Sequence, residues 1–221
     1  MSIQSTLNKA YGIVGKQLGT EFNVYRPCWL SEPISDENWI AKKKVAFSVD
    51  PTFNSPHKFG VSLWLCWIDG NLDKKFDIEQ GDVLYNPDTE ETYFVASAQD
   101  HLYRQAIKAN TTLQFTRATQ TTYGDSGSGL LPTGSGTAVI SSLVPAWVMN
   151  TSSGGNDSGY IPGSSYARES VPTFEIYIWD PVKEVKIGDQ VTDADGFVSQ
   201  VIRVERNELG TKLITQSYTA E

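Results

Sequence analysis

The feature that most constrains this chain is a strand-and-turn sentence written twice. Between Val182 and Thr219, apolar residues Val185, Ile187, Val191, Phe197, Val201, Ile202 and Val204 alternate with polar ones, and the run ends on Leu213 and Ile214. Gly188-Asp189, Asp195-Gly196 and Leu209-Gly210 punctuate it, and Asp-Gly readily supplies the positive φ of a tight hairpin turn. Period-two alternation broken by such turns predicts a β-meander of three or four short strands. An echo lies about a hundred residues upstream. Ile78 is matched with Ile187, Gly81-Asp82 with Gly188-Asp189, and Asn86-Pro87-Asp88 with the Asp195-Gly196 turn. Tyr93, Phe94 and Val95 are matched with the Phe197 strand, and Leu113 with Phe115 closes the earlier unit. Two units do not make a solenoid, which needs three or more. The expected fold is therefore mainly β: two small β-barrel or sandwich modules sharing a related GD-turn meander, with a short N-terminal α-helix and long Gly/Ser-rich loops.

The helix is expected at the start. Ile3, Leu7, Ala10, Tyr11, Val14 and Leu18 fall three or four apart and form one apolar stripe, with Ser2 placed to cap the beginning and Gly19 to end it. Gly12 and Gly15 each weaken it by about 1 kcal/mol relative to alanine, so it must dock on its own body or on a neighbouring subunit. The division that follows is residues 1–20 as a helix or arm, 21–118 as the first β module, 119–171 as a Gly/Ser/Thr-rich extended insertion, and 172–221 as the second β module. Within the first module, 21–27 reads as a strand ending at Pro27, 59–68 as the best central strand, and Lys42 to Lys44 as a solvated turn. Within the insertion, 137–149 is apolar enough for a strand or buried segment. Loops of this length are usually functional, and these are expected to reach across a subunit boundary.

Charge and cysteine content narrow the function. A formal charge of -8 and a pI near 4.8 oppose specific nucleic-acid binding, because gripping phosphates depends on clustered Lys and Arg. Cys28 and Cys66 are the only cysteines, and no export signal accompanies them, so free thiols are expected. The longest apolar run, 61–68, is too short to span a bilayer, so no membrane insertion is expected.

Three constellations invite chemistry. Gly124-Asp125-Ser126-Gly127 resembles the nucleophile loop of trypsin-like proteases. It would need His57 or His101 as base and an acid such as Asp69 or Asp100, and the intervals to Ser126 are too short for two full barrels of that family. The acidic turn Asp189, Asp193, Asp195, Gly196 glances at a calcium loop, but Val191 stands where an oxygen donor is needed and flanking helices are missing. Tyr123, Trp147, Tyr160, Tyr166 and Trp179 would serve a glycan-binding module as stacking platforms, yet in an all-β chain such residues more often fill a core or a protein interface. The expected assignment is no catalytic, cofactor-binding or metal residue, and an interface set of Ile3, Leu7, Tyr11, Val14, Leu18, Trp147, Tyr160 and Tyr166.

The opening segment 7–27, the middle segment 81–110 and the closing segment 187–215 together resemble structural proteins of tailed bacteriophages, especially myophages, encoded among tail and baseplate components. The GD-turn meander is also similar to that of phage head-tail joining proteins. The resemblance implies a non-enzymatic virion subunit assembled in the host cytoplasm, forming a homo-oligomeric ring with other tail or baseplate proteins. A neck or head-completion ring is the alternative placement. A receptor- or glycan-binding module and, last, a serine hydrolase are the alternatives of other classes.

Overall fold

The computed structural model describes residues 3–27, 32–48, 63–68, 78–98, 104–118, 122–125, 130–134, 137–150, 172–180 and 184–217. One helix, α1 (Ile3–Leu18), precedes a six-stranded barrel made of β1 (Thr20–Tyr25), β2 (Trp39–Ser48), β3 (Leu63–Ile68), β4 (Val83–Asn86), β5 (Glu91–Ser97) and β6 (Arg104–Lys108). A second barrel follows, built from β7 (Thr111–Ala118), β10 (Thr137–Asn150), β11 (Thr173–Ile178), β12 (Gln190–Asp193), β13 (Val198–Asn207) and β14 (Gly210–Ser217). A two-stranded hairpin, β8 (Thr122–Asp125) with β9 (Leu130–Gly134), is inserted between β7 and β10. The chain is mainly β with barrel modules and one short helix, as its alternation and turns predict.

Both barrels are closed, and their strand orders are the same. The first runs β1-β2-β3-β6-β5-β4, and the second, read from β7, runs β7-β10-β11-β14-β13-β12. All pairs are antiparallel. In each barrel three consecutive strands are joined by a fourth that crosses over to lie beside the first, which is a Greek key. Closure removes the free edges that make open sheets prone to unwanted pairing.

Strand partnership corrects the repeat register. Gly81 N–H donates to Val95 O and Gly188 N–H to Val201 O, each at 2.8 Å, while Val95 and Val201 return the bond to Asp82 O and Asp189 O at the same distance. Counting back from these bonds, Ile78 corresponds to Val185, not Ile187. Ile78 and Val185 are buried in their respective barrels, whereas Ile187 is 68% exposed. Leu113 and Phe115 do not close the first unit. They open the second, where both are core residues, and their counterparts in β1 are Phe22 and Val24, core residues of the first barrel. The change of barrel thus falls between Lys108 and Thr111 instead of after Ala118. The segment expected as an extended insertion contributes β10, whose Val144 and Ala146 are buried in the second core.

Two further expectations change. Lys42, Lys43 and Lys44 lie in the middle of β2, paired with Asn23, Phe22 and Glu21, and form no turn. Helix α1 ends where Gly19 N–H donates to Gly15 O at 2.9 Å, but it packs on β2 and β3 with Gly12 and Gly15 buried, while Ala10 and Leu18 of the apolar stripe are exposed and Val14 is half-buried. The glycines that weaken the helix are buried positions where the lack of a side chain lets its backbone approach the barrel. A Cβ at Gly19 would come within 2.7 Å of the Val45 backbone nitrogen, so glycine there is a packing requirement. The side chains of Ile3, Leu7 and Tyr11 lie outside the described residues.

Candidate functional site: the barrel seams and the interface between barrels

Each barrel is sealed where its first strand meets its fourth, and the seam is short. Three residue pairs join β1 to β4, from Asn23↔Tyr85 to Tyr25↔Val83, and four join β7 to β12. At each seam an arginine grips a buried aspartate in a two-pronged bond. Arg26 Nε donates to Asp82 Oδ1 at 2.8 Å and Nη2 to Oδ2 at 2.9 Å. Arg117 Nε donates to Asp189 Oδ1 at 2.7 Å and Nη2 to Oδ2 at 2.9 Å. The planar guanidinium fork fits a carboxylate in this way, and ionised partners make such bonds stronger than neutral ones.

The aspartates also build the turns before β4 and β12. Asp82 Oδ2 accepts the Glu79 N–H at 2.8 Å, and Asp189 Oδ2 accepts the Lys186 N–H at 2.7 Å. Asp82 N–H donates to Glu79 O, and Asp189 N–H to Lys186 O. Gly81 and Gly188 occupy the third position of these turns with φ of 93° and 94°, the conformation a type II turn reserves for glycine. The outermost contacts differ between the two seams: Arg26 Nη1 donates to Glu79 Oε1 at 2.9 Å, and Arg117 Nη2 donates to Glu184 O at 2.7 Å. The hydrogen bond it donates to Asp189 raises the Arg117 guanidinium above its ordinary value, with proximity to the Asp189 and Glu184 charges adding to it. Chemically, each arrangement is a clamp holding distant chain segments together.

The two barrels meet through a third apolar cluster. Tyr25, Val83, Phe94, Ala96 and Ile107 come from the first barrel and Tyr177 from the second, with Tyr85, Trp147, Trp179 and Leu209 packed around them. In β5, Tyr93 and Val95 face the first core while Phe94 and Ala96 face the second barrel, so this strand is covered on both sides. Gln80 Nε2 bridges Ala96 O at 2.7 Å and Glu208 O at 2.5 Å across the junction. Fully burying a large apolar side chain contributes about 1.5–3 kcal/mol, so a cluster of this size fastens the barrels firmly.

The sequence-predicted residues scatter. Trp147 and Trp179 lie in the junction between barrels, Trp147 edge-on to Tyr177 with ring centroids 5.8 Å apart. Asp189 is held by Arg117, and Asp193 Oδ1 accepts the N–H groups of Asp195 and Phe197 at 3.0 and 2.8 Å, closing a turn. Among the described residues no group of three or more His, Cys, Asp or Glu could hold a metal ion, and no helix is long and apolar enough to cross a membrane. Gly124 and Asp125 end β8. Ser126, His57, His101, Asp69, Asp100, Tyr160, Tyr166 and Cys28 lie outside the described residues, as does the side chain of Tyr123; Cys66 is a buried free thiol. Sequence reading missed Arg26 and Arg117. Their signal was available as Phe22-x-Val24-x-Arg26 beside Leu113-x-Phe115-x-Arg117, had the repeat been extended back to the strands that open each barrel.

Comparison with protein-family models, with curated proteins and with solved structures finds no match to this chain.

Proposed function

We propose that this protein is a structural subunit of a bacteriophage tail, in the baseplate or tail-tip region, that assembles with itself as a ring and with other virion proteins and has no catalytic role. The resemblance of segments 7–27, 81–110 and 187–215 to myophage tail components suggests the setting. The observation that carries the assembly role is the seating of α1. Among the described residues of the docked helix Gly12 and Gly15 are buried, and Ile13 and Leu18 are left 56% and 75% exposed. Exposed apolar side chains on a docked helix are the raw material of a subunit contact. The junction points the same way: Trp147 and Trp179, which a sugar-stacking site would use, pack between the barrels. A neck or head-completion ring is the alternative placement within the same class.

Two measurements test this reading. Mass spectrometry of purified virions from the host strain should find the chain in stoichiometric amount. The double variant Ile13→Lys/Leu18→Lys should keep its unfolding midpoint yet stay out of assembled particles. Absence of the chain from virions, or normal incorporation of the double variant, counts against the proposal.

A further inference from the structure

Pseudo-symmetry between the barrels gives the position of helix α1 a meaning. Strand for strand, β2 and β3 of the first barrel correspond to β10 and β11 of the second. The registers carry the match to single residues: Ala46↔Trp67 and Phe47↔Cys66 stand where Trp147↔Tyr177 and Val148↔Ile176 stand. Cys66 and Ile176 are core residues, and Phe47 and Val148 pack against the same cores. Strand side chains alternate between faces, so Ala46 and Trp147 point out of their barrels. On the second barrel this outer face, with Trp147 and Tyr177, receives the first barrel. On the first barrel it receives α1, which packs on β2 and β3, and Ala46 there is buried. The helix thus occupies on the first barrel the place that the first barrel occupies on the second. Gly12 and Gly15 are buried on the helix, and alanine stands where the second barrel has tryptophan, so helix backbone lies close against a shallow surface.

In the chain's own junction, that outer face is met by the β4–β5 face, through Val83, Phe94 and Ala96, with Gln80 Nε2 bridging to Glu208 O. The counterpart of the β4–β5 face is the β12–β13 face of the second barrel. The matched bonds of Gly81 and Gly188 fix the offset, so Gln80 becomes Ile187 and Ala96 becomes Ile202, 68% and 43% exposed. Ala96 and Ile202 both lie at the bulge that follows Val95 and Val201. Val83 and Phe94 become Gln190 and Gln200. We propose that α1 is a self-capping helix: it closes the β2–β3 face against the β12–β13 face of a second copy. Its release lets copies dock head to tail through a contact built like the junction inside each chain. Side-chain bulk is exchanged in keeping with that fit. The junction combines Ala96 with Trp147, and the contact between copies combines Ile202 with Ala46. Exchanges that conserve volume are the ones packed surfaces tolerate best. Gln190 and Gln200 make this contact weaker than the junction, and a surface of mixed polarity is what a non-obligate interface presents. Tethering holds the helix at high effective concentration over the face, while its interior glycines keep it weak, so a neighbour displaces it once concentrated enough. Head-to-tail contacts repeat from copy to copy and close a ring when the rotation allows. The inference follows from the two barrels and does not rest on the tail-subunit reading. Ile13 and Leu18 lie on the exposed side of the docked helix and belong to a different contact.

Two measurements on the full chain test the capping role. The first is amide hydrogen exchange of the parent chain at low and high protein concentration. Amides of α1 should exchange about fivefold faster at high concentration, because a docked neighbour leaves the helix undocked. Ile202→Glu, on the opposite face, should abolish that dependence. Exchange in α1 that ignores concentration, or a dependence that Ile202→Glu leaves unaltered, overturns the proposal. The second uses Gly12→Glu/Gly15→Glu, which sets carboxylates where the helix backbone meets the barrel and so frees α1 without altering either barrel. This open chain should self-associate about tenfold more tightly than the parent by sedimentation equilibrium. A synthetic peptide of residues 1–19 added in trans should reverse the association, and the same peptide carrying both glutamates should not, which separates an uncovered face from misfolding. With Ile202→Glu added, the open chain should stop associating with itself and still bind the parent chain one to one, because its β2–β3 face remains uncovered. Association that fails to appear in a folded open chain, survives Ile202→Glu, or ignores the native peptide overturns the proposal. If the open chain does not unfold cooperatively in urea, the exchange measurement decides by itself.

Discussion

Gly81 lies directly beneath the indole of Trp179, so a Cβ added there would overlap the ring, while the same addition at its repeat partner Gly188 would meet nothing within 4 Å. The two glycines have the same turn geometry and different surroundings. One is pressed against the second barrel and the other faces open space.

Gly81→Ala and Gly188→Ala therefore separate backbone strain from packing. Both place a side chain at φ near 93–94°, which costs about 1–2 kcal/mol. Gly81→Ala adds the displacement of Trp179, and overpacking costs about 1–3 kcal/mol more. Urea unfolding should show Gly81→Ala as the more destabilised variant, with a shift in tryptophan emission that Gly188→Ala lacks. Equal losses would mean that the junction yields freely around Trp179.

The arginine clamps predict a coupling. Removing one partner of a buried ion pair costs about 3–5 kcal/mol because the remaining charge is stranded, whereas replacing both is far milder. Asp82 and Asp189 are 1% exposed, so Arg26→Met and Arg117→Met should each be costly. The Glu79 and Lys186 N–H groups still hold the carboxylates, which keeps the loss at about 3 kcal/mol, the lower end of that range. Arg117→Met/Asp189→Leu should recover part of the loss measured for Arg117→Met alone. Additive losses in this double-mutant cycle would show that the clamp does not act as a unit.

Alkaline pH should loosen the fold in a defined window. Burial pushes the Cys66 thiol up to about 12 from an ordinary 9.0. Burial is also the main cause that raises the phenols of Tyr25, Tyr93 and Tyr177 above 10.0, with the Glu91 charge adding at Tyr93. Each group holds its proton more tightly folded than unfolded, so the folded state binds more protons and the free energy of unfolding falls as pH rises. The stabilisation is complete below the unfolded value of 9.0 and is lost as pH climbs toward about 12. The urea midpoint should hold steady up to about pH 8.5 and fall from about pH 9 to 11. Cys66→Val should flatten the early part of the fall, and a midpoint unchanged up to about pH 11 would contradict the burial of these groups.

Fold class was legible because closed antiparallel barrels depend on local alternation and turn chemistry, and both are written in consecutive residues. Gly81-Asp82 and Gly188-Asp189 marked the repeat for the same reason. The misplaced boundary had a physical cause. Leu113 and Phe115 alternate like any half-buried strand, and alternation does not say which barrel the buried face belongs to. The clamps were hidden because Arg26 finds Asp82 across 56 residues and Arg117 finds Asp189 across 72, a pairing that only Greek-key closure creates. In helix α1 the spacing identified an apolar stripe but gave no weight to Gly12 and Gly15, which are buried because residues this small let the backbone in.

The second barrel does not repeat the docking face of the first. The first barrel docks through Val83 and Phe94, and strand pairing makes Gln190 and Gln200 their counterparts in the second. These two glutamines are half-buried, so the second barrel presents amides where the first presents a docking face. Gln190→Val/Gln200→Phe restores the apolar pair beside Ile202, which is already 43% exposed. Adding two large apolar side chains to an exposed sheet face enlarges a patch of the kind that drives association. The double variant should keep a native unfolding midpoint and elute as higher oligomers in size-exclusion chromatography with light scattering, concentration by concentration. If it elutes like the parent chain, the second barrel's counterpart face is not a latent docking surface.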